Sequence, residues 1–293
     1  MLVLTFYFFR SGKVEVIICT PPLQIKKLKG RFNAMLFTKL KQKIPALGTH
    51  ISLNDSAITE LIGNLGFDYL WIDMEHTAID LYCLQQHLIA ARAAGVSAIV
   101  RIPWNDPVRA KPVLEMGPDG IVFPMVNSYE EAKKAVESCM YPPKGIRGFG
   151  PRRAIHFGNI DIQDYLACVD QLLLKFIQIE HIDAVRDLDR ILTIDEIDGL
   201  VIGPRDLAAS MGKIGEWDDP EVSATIQLVI DKVHMAGKPV GLSSGFCAYQ
   251  DIQRWRDRGV DMLSIAADTD LLLLGAKDLL KQMREIFAAG RMT

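Results

Sequence analysis

The chain has 293 residues, 49% hydrophobic and 24% charged, with a net charge of -3. That is enough apolar material for a large core and too little positive charge for a nucleic-acid partner, which needs a basic stripe. Five widely spaced cysteines (Cys19, Cys83, Cys139, Cys168, Cys247) include no CxxC pair, so neither a disulfide framework nor a zinc knuckle is expected, and a reducing cytoplasm is the natural compartment.

The first 34 residues stand apart. Met1–Phe9 and Val14–Cys19 are apolar, with Arg10 and Lys13 between them. A signal peptide would carry its charge before the apolar run, and a membrane span needs about 20 apolar residues. Neither pattern is met, and Lys26–Arg31 is a basic run. Residues 1–34 are therefore expected to be an extension outside the core, with an amphipathic presequence as the competing reading, and residues 35–293 to form one domain.

From residue 47 short apolar strands alternate with amphipathic segments. LGTHISL (47–53) precedes a helix opening near Ser56. FDYLWIDMEHT (67–77) is a buried strand ending in Asp73, Glu75 and His76. A helix from Asp80 leads to SAIVRIP (97–103), and PVRAKPVLEMG leads to GIVFPMV (120–126). After a further helix and an irregular, proline- and glycine-rich stretch (140–159) come LLLKFIQIE (172–180), DGLVIGP (198–204), KPVGLSS (238–244) and DMLSIAA (261–267), then a last helix through LLLLGAKDLLKQMREIF. Eight such repeats over about 240 residues fit a single-domain (β/α)8 TIM barrel better than an open doubly wound sheet.

A barrel places its chemistry at the C-terminal strand ends. The groups found there are Asp73, Glu75 and His76, then Arg101, then Gln178 and Glu180, then Gly203, Arg205 and Asp206. Glu180 and Asp206 end neighbouring strands, so their oxygens can share Mg²⁺, Mn²⁺ or Co²⁺ with water and substrate completing the shell; each can equally cap its following helix. Gly203 lets the backbone approach a ligand, and the helix opening at GPRD can hold a substrate carboxylate. An arginine on a buried strand needs an anion. Arg101 either pairs with Asp73 or Glu75, or faces the metal with a keto oxygen held between the two, poised to become an enolate. His76 is the natural base, because an imidazole ordinarily titrates near neutrality, and Asp73 three residues earlier can orient it. Of the other histidines, His87 and His234 are expected on helix surfaces and His50 within the first barrel strand, while His156 and His181 are second-rank candidates. Arg147, Arg152 and Arg153 read as a solvated rim, with binding of an acidic substrate as the alternative.

These blocks (GFDYLWIDMEH, VRIPWNDP at 100–107, YPPKGIRGFGPRRA at 141–154, QIE at 178–180 and IGPRDLAASMG at 202–212) together resemble the HpcH/HpaI aldolases, divalent-metal-dependent pyruvate aldolases. The resemblance implies a lyase that cleaves a 4-hydroxy-2-oxo acid to pyruvate and an aldehyde through a pyruvate enolate. It puts the metal on Glu180 and Asp206, the catalytic histidine on His76 with Asp73 as partner, and the enolate-binding arginine on Arg101. It also puts an acidic group that organises the base on Glu115, where the family has the shorter aspartate, and Arg205 where the family often has a small residue. It further implies a hexamer, a dimer of trimers, that exchanges the C-terminal helix, for which Leu271–Leu274 is suitably apolar. A lyase of malyl-type CoA thioesters and a non-catalytic ligand-binding barrel are the alternatives. A Schiff-base mechanism through Lys175 is disfavoured, because period-two alternation puts Lys175 on the face opposite Phe176, Gln178 and Glu180.

Overall fold

The computed structural model describes the backbone of residues 5–10, 13–18, 35–245 and 249–289. Cys19, Cys247, the basic run 26–31 and the remainder of the first 34 residues lie outside the described residues. The strands β1 (Thr5–Arg10) and β2 (Lys13–Ile18) pair antiparallel as a separate two-stranded sheet. Among the described residues no helix is long and apolar enough to cross a membrane.

The eight predicted strands form a closed parallel barrel: β3 (Ala46–Ile51), β4 (Tyr69–Asp73), β5 (Ser97–Arg101), β6 (Gly120–Phe123), β7 (Leu174–Ile179), β8 (Gly199–Ile202), β9 (Val240–Ser244) and β10 (Met262–Ala267), with β10 closing on β3. Alternation along each strand separates two cores. Tyr69, Trp71, Ile99, Val122, Phe176, Val201 and Met262 fill the barrel, while Leu70, Ile72, Val100, Ile121, Ile177 and Leu200 pack under the helices. Gly48 makes room for Tyr69: a Cβ there would lie 2.5 Å from the tyrosine ring. A short helix, α1 (Met35–Lys41), seals the N-terminal end by burying Leu36 against the interior residues.

The outer helices start and stop as their sequences dictate. Ser56 stands at the N-cap position of the second helix, α2 (Ala57–Gly63), as expected, but makes no side-chain capping bond; Asp55 Oδ1 accepts the Ala57 N–H at 2.9 Å instead. Asp80 caps α3 (Leu81–Ala94), which ends on left-handed Gly95. Asp106 followed by Pro107 opens α4 (Pro107–Met116), and Ser128 opens α5 (Tyr129–Cys139). The short helices α6 (Ile162–Leu166) and α7 (Val169–Leu172) precede β7, and α8 (Ile182–Arg186) and α9 (Leu188–Ile191) follow it. The remaining helices are α10 (Pro204–Ser210), α11 (Pro220–Met235), α12 (Tyr249–Asp257) and α13 (Asp268–Ala289).

Two expectations about side chains change, for His87 and Arg147, and the outward placement of Lys175 holds. His87 is fully buried rather than on a helix surface; it lies on the face of α3 that meets α2, where its Nδ1 bonds the Thr59 hydroxyl at 2.7 Å. Arg147 is no rim residue: it is buried, donates to the Leu114 carbonyl, Glu115 and the Tyr165 hydroxyl, and stacks on Tyr141 at 4.6 Å. Lys175 is buried on the outer face of β7, where its Nζ reaches Asp198 at 2.8 Å and the carbonyls of Asp170 and Leu173. That placement removes it from the barrel mouth. Cys83, Cys139 and Cys168 are free thiols.

Candidate active site

The C-terminal strand ends surround a cavity of about 370 Å³ whose lining includes His50, Asp73, His76, Arg101, Gln178, Gly203, Arg205, Asp206 and Ser243. Glu180 is buried just behind Gly203, where a Cβ would come within 3.2 Å of the glutamate oxygen Oε2. The barrel thus gathers eight of the nine residues expected at the site.

Arg101 is held in a plane. Its Nε and Nη2 donate to the two Asp73 oxygens at 2.9 and 2.6 Å, and its Nη1 lies 3.1 Å from Glu75 Oε2. Register explains the first pairing, because Asp73 and Arg101 are direct neighbours at the ends of β4 and β5. Burial alone would raise the Asp73 carboxyl, but the Arg101 bonds and charge outweigh it and hold the carboxyl below its usual range. Arg101 therefore pairs with carboxylates and also lines the cavity.

Asp73 does not orient the His76 ring. It is occupied by Arg101, and toward the loop it accepts the backbone N–H groups of Glu75 and His76 at 2.9 and 3.5 Å, which fixes the turn rather than the imidazole. The ring instead stands in the open mouth with Nε2 3.7 Å from Glu75 Oε2. Glu75, expected only as a possible partner of Arg101, thus stands against both the Arg101 guanidinium and the His76 ring. It lies two residues past Asp73 in the same strand-end turn.

Glu180 accepts the Met125 N–H through Oε1 and Gln178 Nε2 through Oε2. Met125 supplies that N–H from a left-handed backbone, φ +52°, unusual for a residue with a side chain. Burial first, then the neighbouring Glu75 and Asp206 charges, push the Glu180 carboxyl up to about 7. Burial pushes Glu75 up to about 7 as well, with Asp73 and Asp206 adding to it and Arg101 opposing it. Four carboxylates, those of Asp73, Glu75, Glu180 and Asp206, thus crowd around one buried guanidinium. Gln178 Oε1 is buried without a hydrogen-bond partner.

Glu115 is not brought to this cavity. It sits in the last turn of α4, which runs back antiparallel to β5, so its carboxylate lies toward the opposite end of the barrel and pairs with Arg147 at 3.2 Å. Of the second-rank histidines, His156 bonds Arg92 at 3.1 Å and His181 caps α8 by accepting the Asp183 N–H. Neither lines the cavity.

A closed parallel barrel with an arginine–carboxylate cluster at its C-terminal mouth defines a βα-barrel enzyme with a cavity sized for a small molecule. The family model described as HpcH/HpaI aldolase/citrate lyase matches residues 47–285, and the chain belongs to this family. A hydroxypyruvate/pyruvate aldolase of Roseovarius nubinhibens is 36% identical over 81% of this chain and 92% of its own length. A 4-hydroxy-2-oxo-heptane-1,7-dioate aldolase of Shigella sonnei is 36% identical over 82% and 91%. Among solved structures, an HpcH/HpaI aldolase/citrate lyase family protein of Burkholderia cenocepacia superposes with a TM-score of 0.80 at 30% identity, covering 85% of this chain and 98% of that one.

Proposed function

We propose that the chain is a divalent-cation-dependent pyruvate aldolase that reversibly cleaves a 4-hydroxy-2-oxo acid to pyruvate and an aldehyde. The observation that carries this reading is the meeting of Arg101, His76, Glu180 and Asp206 around one cavity, in a chain whose relatives are named as aldolases.

The residues fit a hard cation. Glu180 and Asp206 offer oxygen alone, the mutual repulsion of Glu75, Glu180 and Asp206 would be relieved by positive charge, and Gly203 leaves space that a Cβ would fill. Among the described residues no group of three or more His, Cys, Asp or Glu side chains is placed to hold a metal ion by itself. Two carboxylates would leave the other positions of Mg²⁺, Mn²⁺ or Co²⁺ to water and substrate. When bound, such an ion polarises the keto oxygen of the substrate as a Lewis acid.

The chain's own groups do the remainder. Arg101, locked by Asp73 and Glu75, presents fixed N–H groups where the keto oxygen becomes negative, so no reorganisation is needed as charge develops. The substrate carboxylate lies against the first turn of α10, where the N–H groups of Arg205 and Asp206 have no carbonyl within the helix. His76 takes the methyl proton of pyruvate, and the C–H electron pair becomes the enolate. The enolate carbon then attacks the aldehyde carbon, and the new alkoxide is protonated to the 4-hydroxyl. Cleavage runs these steps in reverse. No base-organising role is carried forward for Glu115.

We also read the exposed last helix as oligomer-forming, in a hexamer of exchanged helices. Every described side chain from Leu271 to Ala288 is exposed in the single chain, the four leucines Leu271–Leu274 included.

The test is exchange of the pyruvate methyl protons in D₂O, followed by NMR on metal-stripped protein before and after adding Mg²⁺, Mn²⁺ or Co²⁺. Exchange that depends on the cation and disappears in His76→Ala is the expected result. A folded protein that shows no exchange with any of these cations, yet turns over a malyl-type thioester, would overturn it.

A further inference from the structure

The cavity has two unlike walls. One carries the charged groups, at and just past the C-terminal ends of β4, β5, β7 and β8. The other is built by β9, β10 and β3, which are neighbours around the barrel, and it carries His50 and Ser243. In a closed ring of eight strands β3 stands opposite β7, so His50 faces the side from which Glu180 projects. With pyruvate on the charged wall, the neutral wall is what remains for the aldehyde.

Hydrogen-bond direction on that wall is fixed. His50 Nδ1 lies 2.8 Å from the Ala266 carbonyl oxygen, which can only accept, so Nδ1 carries the proton. Burial lowers the imidazole to about 4 against the raising effect of that carbonyl, so at neutral pH the ring is neutral and its Nε2 bears a lone pair. Nε2 lies 2.9 Å from Ser243 Oγ, and the serine O–H must therefore donate to it. The hydroxyl proton is spent inside the wall, and what Ser243 offers the cavity is an oxygen lone pair. Ala266 holds its carbonyl in place from a left-handed backbone, φ +61°.

We propose that Ser243, set by His50 as a positioning residue, is a hydrogen-bond acceptor that selects aldehydes bearing a hydroxyl group over apolar aldehydes of equal size. An aldehyde with a hydroxyl beside its carbonyl can donate to Ser243 Oγ. An alkyl aldehyde leaves that oxygen desolvated and unpaired, and a neutral hydrogen bond of this kind is worth roughly a tenfold preference.

This inference rests on the aldolase reading, and the experiment separates the two. Glycolaldehyde and propanal have the same number of heavy atoms and differ in a hydroxyl against a methyl. Full-length protein with Mn²⁺ and pyruvate is assayed for aldol addition to each, with pyruvate proton exchange in D₂O followed in the same wild-type preparation. The expected kcat/KM ratio of glycolaldehyde to propanal is about ten or more in the wild type. It should fall toward one in Ser243→Ala and in His50→Phe, and recover in Ser243→Thr and in His50→Gln, whose amide supplies one donor and one acceptor. Each ratio is internal to one preparation, so a general loss of activity cancels. Wild-type exchange with a ratio near one, or a ratio unmoved by both Ser243→Ala and His50→Phe, would overturn the selection role and leave the aldolase reading standing. No wild-type exchange and no addition would overturn both.

Discussion

At the scale of single residues, the site is a problem of crowded negative charge. Removing Arg101 would leave Asp73 and Glu75 buried without a counter-charge, and breaking a buried ion pair typically costs about 3–5 kcal/mol. Arg101→Met should therefore lower the thermal midpoint by several degrees as well as abolish pyruvate proton exchange, a pair of losses readable by calorimetry and NMR. Glu180→Gln with Asp206→Asn should behave oppositely: turnover falls by orders of magnitude, while the metal-free protein melts no lower than the parent because two repelling charges are gone. The pH dependence follows from the same crowding. Glu75 and Glu180 titrate near 7 in the folded chain and near 4.5 when unfolded, so the native state binds more protons between these values. Stability of the metal-free protein from these groups is flat below about 4.5, falls as pH rises through 5 and 6, and levels above 7. Melting curves in EDTA across this range should show that decline, and saturating Mn²⁺ should reverse it; a metal-free midpoint that climbs from pH 5 to 7 would contradict the assignment.

At the scale of elements, the link between β8 and α10 is the tightest fit. A Cβ on Gly203 would stand 3.1 Å from both Gln178 Nε2 and the Glu180 Cβ, so Gly203→Ala must displace one of them. Weaker cation binding by calorimetric titration, tenfold or more, is expected with a nearly parental circular dichroism spectrum. The elements themselves were readable in the chain. All eight strands lie where apolar runs alternate with amphipathic ones, because a strand buried on both faces admits little else. Polar groups at strand ends were equally visible, since Asp73, Arg101 and Glu180 interrupt runs that would otherwise be wholly apolar. What was not legible needed three dimensions. The Ser243 partner of His50 is 193 positions away and is met only when β10 closes on β3 and β9. Glu115 sits 14 residues past Arg101, and nothing local says that the intervening helix carries it to the far end of the barrel. His87 resembles any helical histidine until α2 covers it with Thr59.

At the scale of the whole molecule, the last helix makes its own demand. A run containing Leu271–Leu274, Leu279, Leu280, Met283, Ile286 and Phe287 is exposed in the single chain, far more apolar surface than one free-standing helix keeps in water. Multi-angle light scattering at micromolar concentration should give a mass well above 32.7 kDa, and truncation before Leu271 should reduce it; a monomer in the parent protein would count against the assembly. Two bent points of backbone bear on how such a protein could be improved. Met125 and Ala266 are both held left-handed, and each presents a backbone group to one wall of the cavity, an N–H to Glu180 and a carbonyl to His50. Glycine relieves such strain, by about 1 kcal/mol. A laboratory selection for heat resistance alone would therefore be drawn to Met125→Gly and Ala266→Gly, and the hardier variants it returned would be the ones with a slacker grip on their chemistry.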